Sequence, residues 1–367
     1  MIATSHQHGG ARLLADIGGT NARFALERGP GRIEDIATLP CANHPRLVDA
    51  VRAYLGARAG ADRVRHAVIA IANPVEGDFV KMTNHHWEFS IRQAREELGL
   101  DTLLVVNDFA ALAMSVPELP ASDLMQVGGT LVPADEAGKA DGVIGLVGAG
   151  TGLGVAGLIP AHGRWTVLQS EGGHVAFSPS NAREQDILAW CWQRYPHVSA
   201  ERLVSGPGLS LIHEALSALA GAPAAPLDPA VVVERALEDN DPLCTQVLEI
   251  FCGMLGTVAA NVAVTLCARG GIYIGGGVVP RLGDWFARSP FRAHFENKGR
   301  FSAFAARIPC FVIRAPYPAL AGAAAMLEQH LADAGAAAGA GARDGTAPQH
   351  ANGHAVLAGT EARHAHA

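Results

Sequence analysis

Short apolar runs alternate with segments of helical composition through most of the chain. Apolar runs of about four to eight residues predict buried strands, whereas longer segments with helical periodicity predict helices. Ser90 begins one such segment, where its hydroxyl is expected to cap a helix. This alternation predicts an α/β architecture. The predicted elements are two strands joined by a Gly18-Gly19 turn over residues 12–27, strands over 67–72 and 103–106, and helices over 90–98 and 110–115.

Two similar segments indicate that the chain contains two related halves. Residues 13–26 (LLADIGGTNARFAL) and 145–158 (GLVGAGTGLGVAGL) each carry an apolar run, a glycine-rich turn with Gly-Thr, and a second apolar run. Thr20 and Thr151 lie 131 residues apart, which is about the length of a domain. Because 367 residues exceed the usual limit for one hydrophobic core, we expect two domains with a cleft between them.

Both ends of the chain are predicted to be disordered, with the ordered region running from about Arg12 to Ala332. Residues 333–367 consist mainly of Ala, Gly and His with almost no large apolar side chain, so burial cannot offset the entropy lost on ordering. The scattered histidines of this tail could bind a metal, but its composition favours a solvated segment. Residues 1–10 are expected to be disordered as well.

Charge and cysteine content restrict the partners and the compartment. The chain has 28 Lys and Arg against 35 Asp and Glu, a net charge of -7, and no basic cluster, so nucleic acid is not an expected partner. Its six cysteines form no CxxC pair and no metal-ligand spacing with histidine, which is typical of reduced thiols. The N-terminal residues do not resemble a secretory signal. We therefore predict a cytoplasmic protein.

Two uncharged stretches, residues 142–160 and 252–268, are long enough to be considered as membrane spans. The first is rich in glycine, which favours backbone turns over a helix in lipid. The second contains Asn261 and several small residues, as expected of a helix buried between layers of a soluble fold. No membrane association is predicted.

The glycine-rich turns of the two repeats are predicted to bind phosphate, because glycine lets backbone N–H groups approach phosphate oxygens closely. Asp16 stands beside the first turn, where its carboxylate could hold the waters around Mg²⁺ while Thr20 and Asn21 donate hydrogen bonds. A third turn, in IYIGGGVVPR at residues 272–281, could form the floor of an adenosine pocket. Each turn alone is most often only a tight turn, but the combination is specific.

Two common nucleotide motifs do not explain these glycines. The pattern GxxxxGK[ST] is absent, because Gly138-Lys139 is followed by Ala140. Gly152, Gly154 and Gly157 satisfy GxGxxG, yet no helix is predicted after them and no acidic residue follows about 20 positions on. A dinucleotide site is therefore not expected.

A series of motifs follows in the order found in bacterial glucokinases, so the chain resembles that family from residue 15 to residue 301. The resemblance implies the actin-like ATPase (ribonuclease H-like) fold, in which ATP and sugar meet in an interdomain cleft. We expect a small domain over 11–118 and 309–332 and a large domain over 119–308. The motifs are ADIGGTNARFAL, MTNHHWEFS, VVNDFAALA, GAGTGLGVA, EGGHVAF, SAERLVSGPG, IGGGVVPR and FENKGRF.

The same resemblance implies the site residues, with Asp108 as the catalytic base and a homodimer as the assembly. Ala15 departs from the family, which more usually has glycine there, without affecting the neighbouring Asp16. Asp16 is expected to contact Mg²⁺ through water. The residues implied to contact glucose are Asn107, Asp108, Glu171, His174 and Glu201. From the three glycine-rich turns, the residues predicted to contact ATP are Ala15, Asp16, Ile17, Gly18, Gly19, Thr20, Asn21, Gly150, Thr151, Gly152 and Gly276.

The chemistry of these residues is consistent with a sugar site, because discriminating among hydroxyls requires fixed carboxylate, amide and imidazole partners. Each residue also has a structural interpretation. Asp108 could merely cap the helix that follows it, Glu171 and His174 could form a surface turn, and Glu201 could be a solvated helix residue paired with Arg202. Their occurrence within the ordered motif series favours the functional interpretation.

The predicted reaction is transfer of the γ-phosphate of ATP to the 6-hydroxyl of glucose, giving glucose 6-phosphate and ADP as the first step of glycolysis. Phosphoryl transfer requires alignment and charge neutralisation, and closure of the domains would exclude water. One alternative is a sugar kinase of the repressor, open-reading-frame and kinase (ROK) group, whose Cys-rich zinc motif is absent after His174. Another is a sugar-sensing repressor, which would need a DNA-binding segment before Arg12, where only eleven residues stand.

Overall fold

A computed structural model of the protein describes residues 10–58, 63–83, 85–133, 142–222 and 224–343, with the side chains of the last helix described as far as residue 336. Contacts divide the chain into a compact unit of residues 1–327 and a second unit of residues 328–367. The mixture of strands and helices confirms the predicted α/β class.

The first apolar run and its Gly18-Gly19 turn form the predicted antiparallel hairpin, β1 (Arg12–Ile17) and β2 (Asn21–Glu27). The hairpin belongs to a five-stranded sheet of order β3-β2-β1-β4-β7, in which β3 is antiparallel to β2 while β4 and β7 run parallel to β1. The remaining strands of the first half are β3 (Ile33–Pro40), β4 (His66–Ile71), the short pair β5 (Phe79–Lys81) and β6 (Glu88–Ser90), and β7 (Thr102–Asn107).

Two helices of the first half flank this sheet, α1 (Leu47–Gly56) and α2 (Ile91–Leu98). The predicted cap of α2 is confirmed, because the Ser90 hydroxyl accepts a hydrogen bond from Gln93 N at 3.1 Å. Gly99 ends the helix in the left-handed conformation, which glycine adopts without steric cost. A buried apolar cluster of residues between 13 and 105 packs around the first sheet.

The second repeat forms a matching hairpin in a six-stranded sheet of order β11-β10-β9-β12-β13-β8. Three antiparallel strands are again followed by two parallel ones, so the sheet topology confirms the predicted relationship between the halves. An antiparallel strand at the far edge is the one addition. The strands are β8 (Leu124–Gln126), β9 (Ile144–Ala149), β10 (Leu153–Ala161), β11 (Arg164–Ser170), β12 (Ile272–Gly275) and β13 (Cys310–Ile313).

Most helices of the chain accompany this second sheet. The longest apolar one, α8 (Pro242–Leu266), has the length and composition of a membrane span, but 72% of its most apolar window is buried inside the protein. It is therefore a core helix, as predicted, and the glycine-rich stretch 142–160 is the β9–β10 hairpin. The other helices are α3 (Asp108–Ser115), α4 (Ala182–Trp192), α5 (Ala200–Leu203), α6 (Gly206–Leu219), α7 (Pro229–Leu237), α9 (Phe291–Glu296), α10 (Ser302–Arg307) and α11 (Pro318–Arg343).

The prediction of disorder from residue 333 is wrong for residues 333–343, where α11 continues to Arg343. Alanine has the highest intrinsic helix propensity, so an alanine-rich sequence can extend an existing helix without large apolar side chains. The rest of the predicted tail, residues 344–367, and residues 1–9 lie outside the described residues.

Packing differs from the expected domain division at two places. Strand β13 pairs with β12 and β8 in the second sheet, although residues 309–332 were assigned to the small domain. Helix α3 packs on β10 and β11 and shares a buried cluster with Ile144 and Leu146, although residues up to 118 were assigned to the small domain. In both cases tertiary contacts group the segment with the second sheet.

Candidate active site

The carboxyl ends of three parallel strands bring the first glycine-rich turn and Asp108 to one edge of the first sheet. Ile17 of β1, Ile71 of β4 and Asn107 of β7 lie in register across the strands. Residues that follow parallel strands emerge at the same edge, which is where open α/β sheets bind ligands. The register therefore places the predicted phosphate turn and the predicted base on the same side of the fold.

Asp16 lies beside the first turn and forms an ion pair across the hairpin. Its cross-strand partner is Arg23, whose Nη1 lies 3.1 Å from Asp16 Oδ2. Burial raises the pKa of Asp16, while Arg23 lowers it. A Cβ added to Gly18 would meet Asn21 O only at 3.8 Å, so the turn offers the open approach expected of a phosphate loop.

Asp108 is the first residue of α3, and the residue before it caps the helix. Asn107 Oδ1 accepts a hydrogen bond from Ala110 N at 2.9 Å, and Asn107 Nδ2 donates to Asn73 O at 3.3 Å. Asn107 is therefore the N-cap residue of α3, because its side chain satisfies the Ala110 N–H. The interpretation of Asp108 as merely the helix cap is wrong. The Asp108 carboxylate remains available for chemistry at the edge of the sheet.

The surroundings of Asp108 favour its protonated form. Burial is the main cause, and the charges of Asp16 and Glu171 add to it, which together raise the pKa of Asp108 from 3.8 to about 7. A carboxylate with a pKa near neutrality can accept a proton and release it again, which is the requirement for a general base. This electrostatic coupling also brings three predicted site residues from different segments into one environment.

Glu171, His174 and Glu201 form a polar cluster at the surface of the second half. The imidazole of His174 lies between the two carboxylates, with Nε2 at 3.8 Å from Glu171 Oε2 and Nδ1 at 3.8 Å from Glu201 Oε1. Side chains of Glu171 and His174 are more than 60% exposed, so they can reach a ligand. A cluster of acceptors and donors of this kind suits the hydroxyls of a sugar.

Two segments carry this cluster and are joined by backbone hydrogen bonds. Glu171 and His174 flank a 3₁₀ turn after β11, and Glu201 lies in α5, which Ser199 caps. Ala200 N donates to Val175 O at 2.8 Å, which holds the two segments side by side. The surface-turn interpretation thus describes the backbone of Glu171 and His174, but the turn also places the His174 imidazole between Glu171 and Glu201.

Glu201 is held in place by the second hairpin, not by its sequence neighbour. Its Oε2 accepts a hydrogen bond from Leu153 N at 2.9 Å, and a Cβ on Gly152 would collide with the same oxygen. The guanidinium of Arg202 instead lies over the ring of Tyr195 at 4.3 Å. The proposed Glu201–Arg202 surface pair is therefore wrong. Gly152 was expected to let a phosphate approach the backbone. In the structure, its lack of a side chain leaves room for the Glu201 carboxylate.

The turn after β9 keeps an open approach at Gly150. A Cβ there would have Gly277 N as its nearest neighbour among the described residues, at 3.8 Å. Gly150 O accepts a hydrogen bond from Gly206 N at 2.7 Å, so the N-terminus of α6 supports the turn. Gly150 thus fits the predicted close approach of a phosphate group.

The third glycine-rich turn follows β12 and lies next to the second. Gly276 has a φ of 82°, and a Cβ there would lie 2.8 Å from Ala149 N, while Val278 N donates to Ala149 O at 3.0 Å. Only glycine therefore fits at position 276, where the turn after β12 contacts the end of β9 at Ala149. Gly277 has open space around its Cβ position among the described residues, and its exposure makes it a further candidate for ligand approach.

Within the described ranges, no cluster of three or more His, Cys, Asp and Glu side chains could hold a metal ion by itself. A magnesium ion that accompanies a nucleotide needs few protein ligands, because phosphates and water supply most of its oxygens. The carboxylate of Asp16 beside the open Gly18 turn fits such a water-mediated contact.

Two polar residues of the site were missed by the sequence analysis. Arg23 was part of a recognised motif, and its pairing with Asp16 follows from counting residues across the hairpin turn. Asn73 is buried after β4; its Nδ2 donates to Thr83 Oγ1 at 2.6 Å, and its carbonyl accepts from Asn107. The contacts of Asn73 join distant segments, so no local pattern could have indicated them.

Comparison with known proteins identifies relatives over most of the chain. A sequence model of the Glucokinase family matches residues 13–330. A glucokinase of Neisseria meningitidis is 54% identical over 325 residues, which cover 89% of this chain and 97% of the relative.

Solved structures show the same fold. A glucokinase from an Antarctic psychrotroph superposes with a TM-score of 0.78 at 33% identity, covering 87% of this chain and 99% of that one. A ROK family glucokinase from Streptomyces griseus, solved in complex with glucose and AMPPNP, has a TM-score of 0.58 at 20% identity, with coverage of 87% and 100%. The expected fold class is confirmed by these neighbours.

The raised pKa of Asp108 leads to a prediction about stability. A carboxyl whose pKa is higher in the folded state than in the unfolded chain stabilises the fold only while it is protonated, and that contribution is lost as pH rises from about 4 to about 7. Asp108→Asn removes the buried charge without changing the shape. The substitution should therefore raise the melting temperature by about 2–4 °C at pH 8, with the gain shrinking toward pH 4.

Asp101→Asn provides the matched control, measured by the same thermal melts. Asp101 is exposed and paired with Arg65, which lowers its pKa. Its substitution should give no gain at pH 8. Equal melting temperatures for wild type and Asp108→Asn at pH 8 would contradict the burial of a charge at Asp108.

Proposed function

The chain belongs to the glucokinase family, and we propose that Asp108 is the base with which it activates a hydroxyl of glucose. The protein is an ATP-dependent sugar kinase that transfers the γ-phosphate of ATP to the 6-hydroxyl of glucose, giving glucose 6-phosphate and ADP. The observation that carries the role of Asp108 is a half-buried carboxylate of pKa about 7, next to Asn107, which already caps the helix.

Asp108 accepts the proton of the sugar hydroxyl as the bond from oxygen to phosphorus forms. Its ionised form is the reactive one, and its burial limits the water that would compete for the proton. Asn107 lies beside it with its amide already oriented by hydrogen bonds to α3 and Asn73. A sugar hydroxyl held by Asn107 therefore lies next to the carboxylate of Asp108, whose position is fixed by α3.

Glu171, His174 and Glu201 bind the remaining hydroxyls of glucose. The carboxylates accept hydrogen bonds, and the imidazole can donate or accept according to its tautomer. Glu201 is the most fixed of the three, because Leu153 N holds one of its oxygens. Its anchoring to the second hairpin links the sugar pocket to the turn around Gly150.

ATP is bound by the turns that follow β1 and β9. The backbone from Ala15 to Asn21, together with Gly150 and Thr151, supplies N–H and hydroxyl donors for the phosphates. Gly152 and Gly276 contribute by shaping the second and third turns. Asp16 would hold a magnesium ion through water, and that ion would neutralise part of the charge on the phosphates.

Two domains enclose the site in this proposal, and the separate buried clusters around the two sheets support it. The small domain consists of the first sheet with its helices, and the large domain contains the second sheet, including β13. Closure around glucose would then exclude water from the reacting atoms. The six free cysteines support a cytoplasmic enzyme.

The sharpest test of the catalytic assignment is Asp108→Asn. The amide keeps the size and much of the hydrogen bonding of the carboxylate but cannot accept a proton, so kcat should fall by about 10²- to 10⁴-fold while KM for glucose changes little. Glu171→Gln and His174→Ala should instead raise KM, because they hold hydroxyls before and during transfer. A coupled assay measures each constant, and more than about a tenth of wild-type kcat in Asp108→Asn would refute the base.

The activity should also depend on the ionisation of Asp108. Because the base must be deprotonated, kcat/KM for glucose should fall about tenfold per pH unit below a pH of about 7. Asp16→Asn removes a like charge that raises the pKa of Asp108, so the inflection should move to lower pH even though overall activity drops. The pH profile of both proteins tests this, and an unchanged inflection would exclude Asp16 as a cause.

The homodimer is also a proposal, supported by exposed apolar side chains on the second half. Leu168 of β11 and Val175 are 43% and 57% exposed and line one cavity of about 420 Å³ beside α8. Burial of such a surface against a second copy would remove apolar area from water. Leu168→Asp should shift the mass measured by sedimentation equilibrium from two chains to one. A wild-type protein of one chain would disprove the dimer.

A further inference from the structure

The glycines of the second hairpin do more than form a turn. Gly148 of β9 pairs in register with Gly154 of β10 on one side and with Gly275 of β12 on the other. Residues in register on neighbouring strands have Cβ positions on the same face of a sheet. The three glycines therefore make a row without side chains across the second sheet.

Helix α3 lies against this glycine row through two of its side chains. A Cβ on Gly148 would lie 2.7 Å from Phe109 Cε2, and one on Gly154 would lie 2.5 Å from Phe109 Cγ. A Cβ on Gly275 would lie 2.6 Å from Leu112 Cδ2. All three distances are shorter than 3.0 Å, and real Cβ atoms essentially never make contacts that short. The row is thus a notch that the helix fills.

A fourth glycine holds α3 from another direction. A Cβ on Gly322 of α11 would collide with Ala111 O and would lie 2.7 Å from Ser115 N. Backbone contact on that side leaves the helix little freedom to shift within its notch, because closely packed interiors resist displacement. The position of α3, and of the carboxylate at its first residue, is therefore set by glycines on four other elements, three strands of the second sheet and α11.

We propose that Phe109 is a positioning residue, whose ring in the notch of Gly148 and Gly154 fixes Asp108 relative to the turn around Gly150. The inference rests on the proposed role of Asp108 as the base. Phe109 is the next residue after Asp108, and Gly148 and Gly154 belong to the two strands that flank the turn. The Phe109 ring thereby fixes the position of the Asp108 carboxylate relative to the Gly150 turn, which is proposed to bind phosphate.

The proposal is tested from both sides of the contact. Phe109→Leu empties part of the notch, and Gly154→Ala places a methyl group where the ring lies. Each should lower kcat by about 10- to 100-fold, since displacement of a reacting group by about 1 Å costs on that order, while KM for glucose stays within about threefold. In the double variant, kcat should fall by less than the product of the two single decreases, because leucine at position 109 relieves the clash with the methyl group added at position 154.

Matched controls separate positioning from packing. Phe311→Leu makes the same change in the same buried cluster, on β13, and Gly157→Ala adds a methyl group on the same strand, where it meets only Leu266 and Leu168 side chains at 3.0 Å or more. Both should lower the melting temperature without changing kcat. The pH profile of Phe109→Leu should also shift, because the burial of Asp108 changes with the helix.

Three results would overturn the proposal, and they are distinguishable. If Phe109→Leu and Gly154→Ala lose only stability and keep kcat within about threefold, Phe109 is an ordinary packing residue. If Phe311→Leu loses kcat equally, the effect is general destabilisation. If Asp108→Asn, measured in parallel, keeps its kcat, the base assignment itself fails, whatever the Phe109 variants do.

Discussion

Partial burial of the Asp108 carboxylate, next to the like charges of Asp16 and Glu171, is the constraint on which the organisation of the site depends. Each belongs to a different segment, and together with burial the neighbouring charges raise the pKa of Asp108 to about 7. Arg23 offsets part of this negative charge by pairing with Asp16. Such an arrangement costs stability in the free protein, as sites tuned for proton transfer commonly do. A magnesium ion accompanying the nucleotide would add positive charge beside Asp16.

The second constraint is that ligands, side chains and neighbouring strands must approach the backbone closely. Glycine meets this constraint at several positions, each for a different approaching group. Gly18 and Gly150 leave space open to a ligand, whereas Gly152 admits Glu201 and Gly276 admits the end of β9. Gly148 and Gly154 receive the ring that follows the proposed base. In the proposed function, one glycine-rich motif therefore serves the nucleotide site, the sugar site and the helix of the proposed base at the same time. Substitution at any of these glycines should be judged by the atom that its Cβ would meet.

The elements with strong local signals were predicted well. The β1–β2 hairpin, the Ser90-capped helix and the strand ending at Asn107 follow from apolar periodicity, a capping hydroxyl and a glycine turn, all of which act over a few residues. The extent of α11 was predicted wrongly because disorder was inferred from the lack of large apolar residues, while alanine supports a helix by its backbone preference. The domain limits were displaced because β13 and α3 join the second sheet through contacts far along the chain.

The sequence by itself determined the class of fold, the two related glycine hairpins, the family and the set of polar residues for a sugar site, because these reside in motif order and short-range pattern. Only the tertiary structure decided that Asn107 and not Asp108 caps α3, that Glu201 is held by Leu153 N, and that Phe109 fills the notch of Gly148 and Gly154. The reason is physical. A capping contact, a pKa and a steric fit depend on which atoms meet in space, and Glu201 and Leu153, 48 positions apart, meet only when the second sheet is formed.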